Sequence, residues 1–238
     1  MNGGDYGTEI FDCIDKVIIC GLDGNIKEYK KEELNYNYIM RIQNFEFDLC
    51  FDQIHFTHDH FADNNLLKEK CTLLFPTENA VALMQFEDEN LSRKIVHQLK
   101  YGNREKIGKI LAKWTLEKTD INILNPDLFV TVPLHLKKLK KRGYNQLHLY
   151  TETLSEELKI PFDHTLIQRN FYKKAQAKRS IKEREETQNL FSSTKEVSGK
   201  HILLIDDVFT TGNTISSVAW ELLKYPNNKI SVLMIATD

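Results

Sequence analysis

Cysteine is scarce: four in 238 residues, with no two forming a CxxC pair. Cys13, Cys20, Cys50 and Cys71 are irregularly spaced within the first third, which argues for reduced thiols in a cytoplasmic chain and against a disulfide framework. Long apolar runs are missing as well. No stretch approaches the roughly 20 residues that a membrane helix needs, so no membrane partner is expected. The opening "MNGGDYGTEI" has no basic region, and Asp12, Asp15 and Lys16 interrupt the apolar run behind it, which argues against a secretory signal. Neither sign of charge dominates. A formal net charge of -2 gives no global field for nucleic acid or anionic lipid, so any such attraction must come from local clusters. There is no internal repeat or low-complexity tract. No G-x-x-x-x-G-K occurs, and no G-x-G-x-x-G follows an expected strand, so Walker-type and dinucleotide-binding loops are not expected.

What is present reads as two unlike regions. Residues 1–90 are rich in Phe, Tyr, Asn and Asp, and the alternation at Phe45, Phe47 and Leu49 suggests short strands of a smaller α+β subdomain. The pattern places no parallel sheet there. From Leu91 to residue 238 the pattern becomes regular. Leu91, Ile95, Val96 and Leu99 share one helical face; Gly102 and Asn103 stop that helix and can cap the next, where Ile107, Ile110, Leu111 and Trp114 repeat the spacing. "LFVTVP" reads as a strand ended by Pro133. Asn145 can cap a helix carrying Leu147, Tyr150, Leu154 and Leu158, with Pro161 past its end, and "HTLIQ" reads as a short strand. "ILLI", a helix with Ile215, Val218, Ala219, Leu222 and Leu223, and "ISVLMIA" complete the series. Strands alternating with helices predict an α/β fold, a parallel sheet with helices on both faces.

The stretch "ILLIDDVFTTGNT" places Asp206 and Asp207 at the carboxyl end of a strand that reads as buried, where open α/β sheets bind ligands. Thr210, Thr211, Gly212, Asn213 and Thr214 follow in the turn that opens the next helix, so hydroxyls and free N–H groups converge at the positive end of a helix dipole. Acids and a phosphate cannot share one anion. A single ligand must therefore offer hydroxyls, or a metal, to the aspartates and a phosphate to the turn, as a ribose 5-phosphate does. Taken alone, Thr, Gly and Asn after an Asp also make an ordinary turn.

This string resembles the 5-phosphoribosyl 1-pyrophosphate (PRPP) motif of type I phosphoribosyltransferases. "IVHQLKYGNREKIGKILA", "VPLHLKKLKKRGYNQ" and "RNFYKKAQAKR" before "TQNLF" are similar to the ComF branch of that family, and the four segments span residues 91 to 236. The resemblance implies a type I phosphoribosyltransferase fold over 91–238, with residues 1–90 as a degenerate counterpart of the family's zinc-ribbon region. It implies that Asp206 and Asp207 hold the ribose 2- and 3-hydroxyls and that residues 210–214 bind the 5-phosphate. "PLHLKKLKKRGYNQ" would be the pyrophosphate loop, with Lys137, Lys138, Lys140, Lys141 and Arg142 near Gly143 and Asn145. Arg142 joins the two aspartates as a catalytic candidate. The segment also reads as an exposed basic helix face or a nucleic-acid patch.

The family's reaction displaces pyrophosphate from ribose C1 through an oxocarbenium-like transition state, with Mg2+ bridging pyrophosphate oxygens and ribose hydroxyls. The expected activity is therefore phosphoribosyl transfer from PRPP to an unidentified small-molecule acceptor, with a nitrogen nucleophile suggested by the family's amidophosphoribosyltransferase-like label. The polar stretch from Arg169 to Arg184, with Lys173, Lys174, Gln176, Lys178 and Arg179, is the expected mobile cover. No resident metal site is assigned, since the close ligand pairs of a ribbon are absent and His55, His58 and His60 offer only a dispersed alternative. The other reading is an accessory protein of DNA uptake, binding PRPP without turnover and single-stranded DNA through its basic runs, near Tyr101, Tyr144 and Phe171. A homodimer is compatible with either.

Overall fold

The computed structural model describes residues 16–20, 26–30, 54–57, 65–87, 91–101, 106–170 and 190–238. The chain first forms an antiparallel pair, β1 (Lys16–Cys20) and β2 (Ile26–Lys30), which agrees with short strands in the first region. Phe45, Phe47 and Leu49 lie outside the described residues, as do Gly102 and Asn103. Helix α1 (Leu66–Thr72) starts at Asn65, whose side chain accepts from the Lys68 amide at 3.0 Å. Strand β3 (Ala80–Gln85) follows, then α2 (Leu91–Tyr101) and α3 (Ile107–Lys118). After a 3-10 turn come β4 (Leu128–Thr131), α4 (Leu136–Arg142), α5 (His148–Leu158) and β5 (Phe162–Asp163). A hairpin of β6 (Ile167–Arg169) and β7 (Phe191–Ser193) precedes β8 (His201–Phe209), α6 (Asn213–Leu223) and β9 (Lys229–Thr237).

Five strands pair in the order β3-β9-β8-β4-β5, and every pairing is parallel. Alternate side chains of this sheet feed two cores. On one face α2, α3 and α5 pack Ile95, Leu111 and Tyr150 against Phe129, Leu203 and Ile205. On the other, α1 and α6 pack Cys71, Val218 and Leu222 against Val130, Leu204 and Val232. The expected α/β architecture with helices on both faces is therefore present, and the strand interiors are continuously apolar because both sides are covered. The contact of α3 with α5 depends on Gly108: a Cβ there would stand 3.0 Å from the Tyr150 backbone nitrogen. The Tyr150 hydroxyl, buried in that contact, is satisfied by Thr115 Oγ1 at 2.8 Å.

Three expectations need correction. The parallel sheet reaches back before residue 91, because β3 pairs in register with β9, Ala80 opposite Val232 and Met84 opposite Ala236. Ala80 to Met84 are all buried, so the run shows neither alternation nor helical period. "HTLIQ" is no single strand. The Asp163 carboxylate accepts from both the amide and hydroxyl of Thr165 at 2.8 Å, and this local turn bends the chain between β5 and β6. Finally, the strand containing "ILLI" does not end at the aspartates: β9 pairs with it as far as Phe209, so Asp206 and Asp207 stand within its last turn of pleat.

Candidate functional site

The aspartates lie in the carboxyl-terminal half of β8, in the middle of the sheet, between β9 and the chain that leaves β4; the Val132 amide donates to Ile205 O at 3.0 Å. Asp207 is held on two sides. Its Oδ2 accepts from Gln146 Nε2 at 2.5 Å, and its Oδ1 lies 2.9 Å from Lys100 Nζ. Asp206 has a different environment. Its Oδ1 accepts from the Asp207 amide at 2.8 Å, while burial of the carboxyl and the adjacent Asp207 charge push it up to about 8 against the pull of Lys100 and Lys138. Charge on Asp206 is thus disfavoured by its surroundings, whereas Asp207 has the Lys100 ammonium beside it.

Beyond β8 the chain turns at Thr210, Thr211 and Gly212. Thr210, Thr211, Asn213 and Thr214 are exposed, while Gly212 is buried with φ 72°. Two constraints select glycine there: the left-handed backbone, and a Cβ that would meet Leu74 Cδ1 at 2.4 Å and the Phe209 ring at 2.9 Å. No side chain caps α6, and the amides of a helix's first turn have no partners within the helix. The turn thus brings exposed hydroxyls to the start of a helix whose first amides have no partners within the helix.

The expected pyrophosphate loop folds as the short helix α4, started by His135, whose Nδ1 accepts from the Lys137 amide at 3.1 Å. It ends at Gly143, φ 81°, whose amide donates to Leu139 O at 2.8 Å. Lys137, Lys138, Lys140 and Lys141 are exposed. Arg142 is not. It is buried, Nη1 donating to Gln146 Oε1 at 2.7 Å, with its guanidinium 4.8 Å from the centre of the Tyr101 ring. Gln146 therefore joins Arg142 to Asp207 directly. Asn145 is buried too: Oδ1 accepts from the Leu147 amide at 3.1 Å and Nδ2 donates to Val132 O at 3.4 Å, so both ends of its amide shape the turn before α5.

Lys100, Tyr101 and Gln146 complete this constellation; Tyr101 was named only as an aromatic near the basic runs, and Lys100 and Gln146 were not singled out by residue pattern. All three fall in the quoted segments, yet only folding brings α2 and the start of α5 to the end of β8. A second cluster was also not foreseen. His148 and His164 stack with ring centres 3.9 Å apart at 11°, and His164 meets Thr131 Oγ1 at 3.1 Å and Glu152 Oε1 at 3.3 Å. Burial, then the neighbouring His164, lowers His148 to about 4. His97 packs beside the Tyr101 ring, centres 4.9 Å apart.

Lys174, Gln176 and Arg179 lie outside the described residues, together with Phe171, Cys13, Cys50, His58 and His60. Cys71 is buried in the second core, where burial pushes its thiol up to about 12. His55 Nδ1 lies 2.7 Å from Glu87 Oε1. Among the described residues no three His, Cys, Asp or Glu are grouped to hold a metal ion, and no helix is long and apolar enough to cross a membrane.

Residues 150–235 match the family model described as the phosphoribosyl transferase domain. The chain is 31% identical over 142 residues to DNA utilization protein YhgH of Escherichia coli strain K12, covering 55% of this chain and 60% of that protein. It is 29% identical over 151 residues to competence protein F of Haemophilus influenzae, covering 60% and 66%. The chain thus spans about 60% of the length of the YhgH proteins it matches. Among solved structures, a glutamine PRPP amidotransferase from B. subtilis aligns over 93% of this chain and 36% of its own, with 14% identity and a TM-score of 0.38, a distant likeness. The motif around Asp206 and Asp207, the matched domain and these relatives agree: residues 150–235 carry the phosphoribosyl transferase domain, and the chain is similar to competence protein F and YhgH.

Proposed function

We propose that this chain binds PRPP together with Mg2+ and transfers the phosphoribosyl group to an acceptor, a nitrogen nucleophile being the first candidate, with release of pyrophosphate. One observation carries the reading: a single edge of the sheet gathers the acid pair, the Gly212 turn that opens α6, and the basic helix α4, whose Lys138 is near enough to act on Asp206. Asp206 and Asp207 would receive the ribose hydroxyls, and residues 210–214 the 5-phosphate. The exposed lysines of α4 would face the leaving pyrophosphate, where charge grows as the C1–O bond breaks. Arg142, tied through Gln146 to Asp207, would couple the leaving-group side of the site to the ribose side.

The carboxylate and hydroxyl oxygens here suit a hard cation, and the described residues form no cage for one, so Mg2+ fits as an ion bound largely by the ligand's own oxygens. There it would neutralise pyrophosphate charge. The chain's residues orient the ribose and the leaving group; no general base is assigned.

A second reading has its own support. Four exposed lysines on α4 and the half-exposed Tyr101 ring beside Arg142 suit a single strand of nucleic acid, and the relatives are named for DNA utilization and competence. Calorimetry with PRPP and Mg2+ tests the first reading. Asp206→Asn with Asp207→Asn should weaken binding at least about tenfold through loss of the carboxyl oxygens that accept from the ribose hydroxyls; unchanged affinity refutes the ribose role. Pyrophosphate release from PRPP with mixed amines and bases then tests turnover, and single-stranded DNA titrated across ionic strength tests the second reading, which a flat salt response would end.

A further inference from the structure

We infer that Lys100 makes the site selective for a cation that arrives already bound to a phosphorylated sugar, and closes it to the free ion. The inference rests on the PRPP reading and deepens it. Lys100 projects from the last turn of α2, and its ammonium stands 2.9 Å from Asp207 Oδ1. Both side chains are largely shielded, 21% and 15% exposed, so this is no frayed surface pair. With Gln146 on the other oxygen, both Asp207 oxygens are engaged. A free divalent cation approaching Asp207 must displace that ammonium or share the carboxylate with it, two cations repelling each other at one carboxylate. A metal complex of a sugar phosphate brings anionic oxygens of its own, and these receive Lys100 as the hydroxyls take Asp207. The exchange conserves charge pairing only for the complete ligand. Lys100 is thus an internal counter-ion that discriminates between ligands.

Mn2+, visible by electron paramagnetic resonance when free, is the probe. Wild type, Lys100→Met and Lys100→Gln are titrated with Mn2+ alone and with Mn2+ plus PRPP, and folding is checked by circular dichroism. Loss of an opposite charge this close typically changes the energetics of a carboxylate by one or more pKa units, so both variants should bind Mn2+ alone at least about tenfold tighter than wild type. Adding Asp207→Asn to Lys100→Met should abolish the gain, and Lys100→Arg should behave as wild type. Equal binding of free Mn2+ by wild type and both neutral variants overturns the inference, as does a gain that survives Asp207→Asn. The PRPP arm keeps the two claims apart: wild type that binds no PRPP refutes the donor-ligand reading, whereas PRPP binding without a gain in free Mn2+ refutes only the role of Lys100.

Discussion

At the scale of single residues, the two neighbouring aspartates differ because their surroundings differ. Asp207 receives Lys100 and Gln146, while Asp206 receives an amide and the charge of its neighbour. The consequence is a dependence on pH. Asp206 is raised from an ordinary 3.8 to about 8, so between those values the folded chain holds a proton that the unfolded chain has lost. The contribution of Asp206 to stability is fully present below the lower value and is lost as pH rises through the upper one. Asp206→Asn keeps the shape and removes the titration. Its melting temperature should match wild type near pH 4 and exceed it at pH 9, as thermal melts across that range will show. Equal curves at pH 9 would mean that Asp206 is not strained by its charge.

At the scale of elements, the edge where β4 and β5 meet the start of α5 should respond to acid. His148 is lowered from 6.5 to about 4 by burial and by His164, which faces it across the stack, while Glu152 acts in the opposite sense. His164, also lowered by burial, is held by Thr131 and Glu152 and lies beside Asp163 and Phe162. Imidazoles kept neutral in the fold support stability that is complete above pH 6.5 and lost as pH falls through 4. His148→Phe preserves a flat ring against His164 and removes one of the titrations. Its denaturation midpoint should decline less than that of wild type between pH 6.5 and 4. Asp163, held at about 2 where Lys195 and Thr165 bind its carboxylate, contributes only to loss at lower pH and does not confuse the comparison.

How much of this was legible in the chain follows from the range over which each signal acts. The faces of α2 and α6 were readable because Leu91, Ile95 and Leu99, or Ile215, Val218 and Leu222, repeat every three to four residues. The PRPP-like turn was readable because acids, threonines and Gly212 are contiguous. β3 was not, since Ala80 to Met84 is a short, wholly buried run of small and apolar residues with no period. Nor were the contacts of Asp207: Gln146 is 61 residues distant, and nothing local in "LKYGN" says that its lysine faces a carboxylate. Arg142 was read together with the lysines as one cluster of cations, whereas the seven-residue α4 turns it inward while leaving four lysines out.

At the scale of the whole molecule, residues 65–87 and the rest of the five-stranded sheet are one piece of covalent and physical architecture. β3 flanks β9, α1 and Phe75 supply part of the second core, and Leu74 rests on Gly212. A fragment comprising residues 91–238 would strip all of this away. Its outermost strand would be "ISVLMIA", with one row of main-chain donors and acceptors unpaired and its aliphatic side chains partly bared. Such a fragment should sediment as large particles where the full chain does not, and a monodisperse, cooperatively melting fragment would refute this. Engineers dividing the protein therefore gain nothing by cutting where composition changes: the severance leaves a ribbon prone to stacking with its own copies, and because Ile54 enters the first core and Phe56 bridges Met84, the seam of the molecule has to be sought upstream of Ile54.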